Sequence, residues 1–296
     1  MLNSKFTGTG VALVTPFRND GSIDFKSLEQ HVNRVIEEGV NYLVALGTTA
    51  ETPVLTKDEK ATIVAFIKEI NDERVPLVVG LGGNNTSALI DSIGNMDFKG
   101  IDAILSVAPY YNKPSQEGIY LHFKEIAVTS PVPVILYNVP GRTSSNINAD
   151  TTVRLAENFK NQIIAIKEAS GDFSQIMKII KNKPKDFLVL SGEDALSFPM
   201  ITLGGKGVIS VIANAYPSEY SEMIKLALDH KIEEARELHY KLLPVIDAMF
   251  AEGNPAGVKA FLNARKYMDN NLRLPLIPAS NSLMKEIQEI VKKFDH

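Results

Sequence analysis

Ile163-Ile164-Ala165-Ile166-Lys167-Glu168-Ala169-Ser170-Gly171 joins four apolar residues to a lysine. The run is short, rich in isoleucine and bounded by glycine, so it reads as a strand buried on both faces. Similar runs occur at 11–14, 42–46, 77–81, 103–107, 132–137, 187–190 and 208–211. With 163–167 they make eight candidate strands, their starts roughly 20 to 35 residues apart, about one βα unit each. The segments between them carry helix signals. Thr56-Lys57-Asp58-Glu59 has the spacing of a capping box. Asp24 reads as the cap of a helix running to about Glu38 and ended by Gly39, and Thr86, Ser115 and Asp150 read as further helix starts. Asn254-Pro255 reads as a cap followed by proline in the first helical position.

This alternation predicts a (β/α)8 barrel over 1–230, with a C-terminal helical extension over 231–296 packed on it. The rival architecture is a doubly wound dinucleotide-binding sheet. Its nearest fingerprint is Gly80-Leu81-Gly82-Gly83-Asn84-Asn85, where Asn85 takes the third glycine position. The strand count favours the barrel.

Composition narrows the function. The chain has 296 residues, 45% of them hydrophobic, enough for a sizeable core. Its formal net charge of -4 offers no basic stripe for nucleic acid. No apolar stretch reaches the roughly 18 residues of a membrane span, and no long apolar leader opens the sequence. Cysteine is absent, so disulfides and thiolate metal sites are excluded. A cytoplasmic protein is expected.

Barrel chemistry gathers where strands end. Gly47-Thr48-Thr49-Ala50-Glu51, Pro109-Tyr110-Tyr111-Asn112, Tyr137-Asn138-Val139-Pro140-Gly141-Arg142, Lys167-Glu168 and Ser191-Gly192-Glu193-Asp194 all fall there, and the strand starts show no comparable cluster. Two readings of Lys167 stand side by side. It is a structural lysine paired with a carboxylate, or a desolvated amine able to attack a carbonyl. Glu168 is a poor partner, because strand neighbours point to opposite faces. Tyr137 fits an ordinary core tyrosine, and Tyr110 and Tyr111 fit an interface. Thr48-Thr49 fits a capped turn or an anion cradle. Arg142 fits a solvated loop or a carboxylate clamp. His31, His122, His230, His239 and His296 fall in helical stretches or at the C-terminus. Glu51, Glu168, Glu193 and Asp194 read as caps and ion-pair partners rather than as a cation site. No metal and no cofactor is expected.

Taken together these motifs resemble the dihydrodipicolinate synthase family, one of the pyruvate-dependent class I aldolases that include N-acetylneuraminate lyase. The likeness also takes in Gly10-Val11-Ala12-Leu13-Val14-Thr15-Pro16-Phe17, Pro109-Tyr110-Tyr111-Asn112-Lys113-Pro114 and Gly207-Val208-Ile209-Ser210-Val211. It runs through almost the whole chain. The resemblance implies condensation of pyruvate with L-aspartate 4-semialdehyde in the diaminopimelate route to lysine. It implies an imine on Lys167 and proton transfer by Tyr137 through Thr49 to Tyr111 of a neighbouring subunit. The N–H groups of Thr48 and Thr49 then hold the pyruvate carboxylate. Arg142 receives the semialdehyde carboxylate, and the backbone at Gly192 and Ile209 lines the pocket. A homodimer is the least functional unit this implies, with a homotetramer left open. The runner-up is another pyruvate aldolase acting on N-acetylneuraminate or a 2-keto-3-deoxy sugar acid. A non-catalytic binding protein on the same barrel is the alternative from a different class. The chain departs from the family pattern in two places. Ala50 stands where many relatives have glycine, with little effect expected unless that position needs φ > 0. Lys57, Lys60 and Ala88, beside Asn84 and Tyr110, occupy the place where inhibited members bind lysine. Two ammonium groups repel that ligand, so weak or absent lysine inhibition is expected.

Overall fold

In the computed structural model residues 2–294 are described; Met1, Asp295 and His296 lie outside them. Eight parallel strands close into a barrel in sequence order. They are β1 (Gly8–Ala12), β2 (Tyr42–Ala45), β3 (Leu77–Gly80), β4 (Ala103–Val107), β5 (Val134–Asn138), β6 (Ile163–Glu168), β7 (Leu188–Ser191) and β8 (Gly207–Ser210). The surrounding layer is α1 (Phe25–Glu37), α2 (Lys57–Asn71), α3 (Thr86–Gly94), α4 (Gln116–Thr129), the short α5 (Pro140–Thr143), α6 (Ala149–Asn158), α7 (Phe173–Asn182), α8 (Ser197–Thr202) and α9 (Pro217–Leu228). Helices α10 (Ile232–Phe250), α11 (Ala256–Ala264) and α12 (Asn281–Phe294) follow. Helix α10 packs on α8 and α9, and α12 packs on α10 and α11. The closed barrel disposes of the doubly wound alternative. Among the described residues no helix is long and apolar enough to cross a membrane.

Strand β1 begins three residues before the expected 11–14 run, at Gly8. Gly8-Thr9-Gly10 lacks the side chains that mark a strand, yet it closes the barrel against β8. The reason is space. A Cβ on Gly10 would sit 2.1 Å from the Tyr42 ring, and one on Gly207 would sit 2.2 Å from the Gly8 carbonyl oxygen. Glycine admits the close backbone approach, and Tyr42 fills the barrel beneath, edge-on to Phe6.

The capping box at Thr56 and Glu59 forms as read, and Asp24 and Ser115 cap their helices. The other starts shift. Asn85, not Thr86, caps α3, and Asn148, not Asp150, caps α6, because in each case the asparagine side chain accepts the N–H three residues on. Asn254 does not cap α11, whose N-cap is Pro255. Its side chain is used elsewhere.

Candidate active site

The register of β6 decides where its lysine points. Val134 pairs with Ile163 but Ile135 pairs with Ala165, so one residue is skipped. A slip of one residue exchanges the faces of a strand. Beyond it Tyr137 lies opposite Lys167, and Asn138 opposite Glu168. Tyr137 and Ala165 join the interior cluster with Leu105, Leu190 and Ile209, whereas Leu136 and Ile166 pack into the helix layer. Lys167, next to last in its strand, is thus aimed into the barrel mouth.

Lys167 is 5% exposed. Its Nζ lies over the Tyr137 ring, 4.3 Å from the centroid. Among the described residues no carboxylate comes within ion-pair distance of it. Glu168 faces the other way, as strand alternation requires. Its carboxylate accepts from Asn138 Nδ2 at 3.1 Å, the Ser170 N–H at 2.8 Å and Gln175 Nε2 at 3.0 Å. Burial raises its pKa, and these donors oppose the rise. The outward network ties the ends of β5 and β6 together behind the Tyr137–Lys167 pair. Gly192, at the end of β7, leaves room for the lysine stem. A Cβ there would lie 3.0 Å from Lys167 Cε and 2.7 Å from Ala169 Cβ. Ile209 on β8 is fully buried in the interior cluster.

Thr48 and Thr49 open a 3₁₀ turn, Thr48–Ala50, whose first N–H groups have no intrahelical acceptor. The turn is braced. Thr15 Oγ1 donates to the Ala50 carbonyl at 2.8 Å, and Thr52 Oγ1 to that of Gly47 at 2.8 Å. Ala50 sits within the turn, and the left-handed residue is Glu51, φ 56. Alanine therefore meets no conformational penalty at its position.

Arg142 projects from α5, exposed, with Nη2 3.5 Å from the Asn254 carbonyl oxygen. Glu193 is half-buried; burial and the neighbouring Asp194 raise its pKa, while Lys167 and Arg142 act against the rise. Asp194 is buried, and its carboxylate accepts from the N–H groups of Val211 at 3.0 Å and Ile212 at 2.8 Å. Burial raises its pKa too, against those donors. Tyr111 stands apart from the others. It is 88% exposed with φ 73, its N–H donating to the Thr143 carbonyl at 3.3 Å.

Three further residues, none of them at a strand end, belong to this neighbourhood. Asn254 Nδ2 donates to Thr49 Oγ1 at 3.0 Å. Lys259, fully buried on α11, donates to Glu51 Oε1 at 2.5 Å, and the Arg273 N–H reaches Glu51 Oε2 at 3.0 Å. All three lie beyond the eighth strand, where the sequence shows only helix signals. Lys259 in an apolar helical stretch was the available clue.

Fold and aimed amine together define the class: a (β/α)8-barrel carbon–carbon lyase of the Schiff-base aldolase type. The chain belongs to the Dihydrodipicolinate synthetase family, whose model matches residues 5–294. A 4-hydroxy-tetrahydrodipicolinate synthase of Flavobacterium psychrophilum is 53% identical over 288 residues, covering 97% of this chain and 98% of that one. A dihydrodipicolinate synthase structure from Thermotoga maritima superimposes with a TM-score of 0.95 at 40% identity, covering 98% of this chain and 99% of that one. A structure described as the first monomeric dihydrodipicolinate synthase variant gives 0.96 at 39% identity, covering 99% and 98%.

Proposed function

We propose that this chain is a 4-hydroxy-tetrahydrodipicolinate synthase joining pyruvate to L-aspartate 4-semialdehyde. The observation that carries the reading is Lys167, buried inside the barrel mouth with no carboxylate of the described residues at ion-pair distance and its Nζ over the Tyr137 ring. The amine adds to the pyruvate ketone, and loss of water leaves an imine. The cationic imine draws electrons from the methyl group, which gives up a proton and becomes an enamine. The enamine carbon attacks the aldehyde, forming the carbon–carbon bond as the aldehyde oxygen takes a proton. The amino group of the second substrate then displaces Lys167 from the imine carbon and closes the ring.

The roles follow the family pattern. Tyr137 moves the protons, with Thr49 and Tyr111 completing the relay. The Thr48 and Thr49 N–H groups hold the pyruvate carboxylate, and Arg142 clamps that of the semialdehyde. Gly192 and Ile209 line the pocket. Exposed Tyr111 suits a residue handed to a neighbouring subunit, so the working unit is at least a homodimer. Mixing Tyr111→Phe subunits with Lys167→Ala subunits would then restore activity that neither has alone. The reading carries a place in lysine biosynthesis and a cytoplasmic setting. It also carries weak or absent lysine inhibition: Lys57 and Lys60 stand on the first turn of α2, and Asn84 Nδ2 donates to the Tyr110 carbonyl at 3.2 Å. Clear inhibition by sub-millimolar lysine would count against that last point.

The main test is borohydride reduction in the presence of pyruvate, followed by peptide mass mapping. A stable adduct on Lys167 is expected. An adduct on another lysine, or none, refutes the mechanism.

A further inference from the structure

Asn254 reaches the barrel mouth from outside the barrel, in the segment between α10 and α11, and makes two contacts there. Its Nδ2 donates to Thr49 Oγ1 at 3.0 Å, and its carbonyl oxygen lies 3.5 Å from Arg142 Nη2. It is 8% exposed, and its Oδ1 is buried without a hydrogen-bond partner. An unpaired buried amide oxygen costs free energy, so packing alone is a poor account of this residue.

A threonine hydroxyl has one proton to give and two lone pairs to accept with. To pass a proton along a chain it must accept from one neighbour and donate to the other. Asn254 Nδ2 fills one lone pair. One lone pair and the proton remain, the pair a relay needs. The amide also fixes the direction, since a donor pressed on Oγ1 turns the hydroxyl proton away from itself. A carboxylate in the same place would accept that proton and end the chain.

We propose that Asn254 is a positioning residue that orients the Thr49 hydroxyl for proton transfer, so that the C-terminal extension completes the active site. The same segment holds the turn from its other end. Lys259 Nζ to Glu51 Oε1 and the Arg273 N–H to Glu51 Oε2 pin the residue that follows Ala50. The proposal rests on the imine reading above and concerns only the proton steps.

The test is Asn254→Asp, which keeps the shape and replaces the donor by an acceptor. Exchange of the pyruvate methyl protons for deuterium, followed by NMR in D2O, reports enamine formation without the second substrate. The exchange rate should fall by about 100-fold at neutral pH. It should recover as the pH drops and the new carboxyl takes up a proton it can donate, a rise the wild-type enzyme does not show. The KM for the semialdehyde should move less than about twofold, since the Arg142 contact is to the backbone. Asn254→Ala, which removes donor and acceptor alike, should exchange slowly at every pH. Borohydride trapping on wild-type Lys167 checks the underlying reading separately. If trapping succeeds and Asn254→Asp exchanges at the wild-type rate, or stays slow at every pH, the proposal fails and the imine reading stands.

Discussion

Two lysines are buried in this molecule under opposite arrangements. Lys259 on α11 is fully enclosed, with Nζ 2.5 Å from Glu51 Oε1, 2.8 Å from the Asn271 carbonyl and 4.3 Å from the Phe17 ring centroid. Lys167 on β6 has an aromatic face and, among the described residues, no carboxylate within ion-pair distance; Glu193 and Asp194 act on it from farther off. Burial lowers the Lys259 pKa to about 8, against the pull of Glu51. A depressed pKa taken alone would nominate Lys259 as the nucleophile. Geometry says otherwise, because its Nζ is committed to two fixed oxygens and it is enclosed on α11 rather than in the mouth. A buried lysine locked onto a carboxylate is a fastening; one with no carboxylate in contact is available for chemistry.

Substitution separates the two. Lys167→Ala should lower kcat by at least about 1000-fold while unfolding free energy moves by less than about 1 kcal/mol, since no direct ion pair is broken. Steady-state kinetics with thermal melts read both quantities. Lys259→Met should do the reverse. It leaves the buried Glu51 carboxylate without the ammonium in contact with it, held by the Arg273 N–H, at a cost of about 3 kcal/mol. Borohydride trapping on Lys167 should persist in the folded fraction. Adding Glu51→Gln to Lys259→Met should restore much of the lost stability, and a double variant no better than the single one would break the contrast. Gly192→Ala tests the room around the reactive lysine. The added methyl falls 3.0 Å from Lys167 Cε. A shift of the amine by a fraction of an ångström should cost about 100-fold in kcat/KM with the fold intact.

The barrel was legible because eight apolar runs at βα spacing have few other solutions. The strand ends were legible because Thr48, Thr49, Tyr137, Arg142, Lys167 and Gly192 each close such a run or follow it. Gly8-Thr9-Gly10 escaped because close backbone approach, not side-chain preference, makes it a strand. The inward aim of Lys167 depends on the skipped residue between Ile163 and Ala165, which periodicity cannot reveal. Asn254 and Lys259 escaped for a different reason. Their partners, Thr49 and Glu51, lie some 200 positions earlier in the chain, and nothing local announces a contact of that range. Asn254-Pro255 even imitated a helix cap.

The lesson of the two lysines recurs at His31, a buried base set against a cation. Its Nε2 bonds Asn214 Oδ1 at 2.8 Å, and Arg34 Nη2 lies 3.2 Å from its Nδ1. The neutral ring satisfies both neighbours, one nitrogen donating and the other accepting. A second proton would meet the guanidinium, and burial and Arg34 together lower the pKa from 6.5 to about 3. His122 is lowered by burial to about 4, with Thr86 Oγ1 at its Nδ1. Both folded values lie below the unfolded one. The unfolded chain therefore binds protons first as the pH falls. The stability these rings contribute is complete above pH 6.5 and is lost on acidification towards their folded values. Between pH 7 and pH 5 the loss should be about 2 kcal/mol for each histidine. Urea unfolding at the two pH values measures it, and His31→Gln should flatten the slope. The Lys167 adduct should still form wherever the chain remains folded. If acid removed trapping while the urea midpoint held, the loss would lie at the mouth and not in the helix layer.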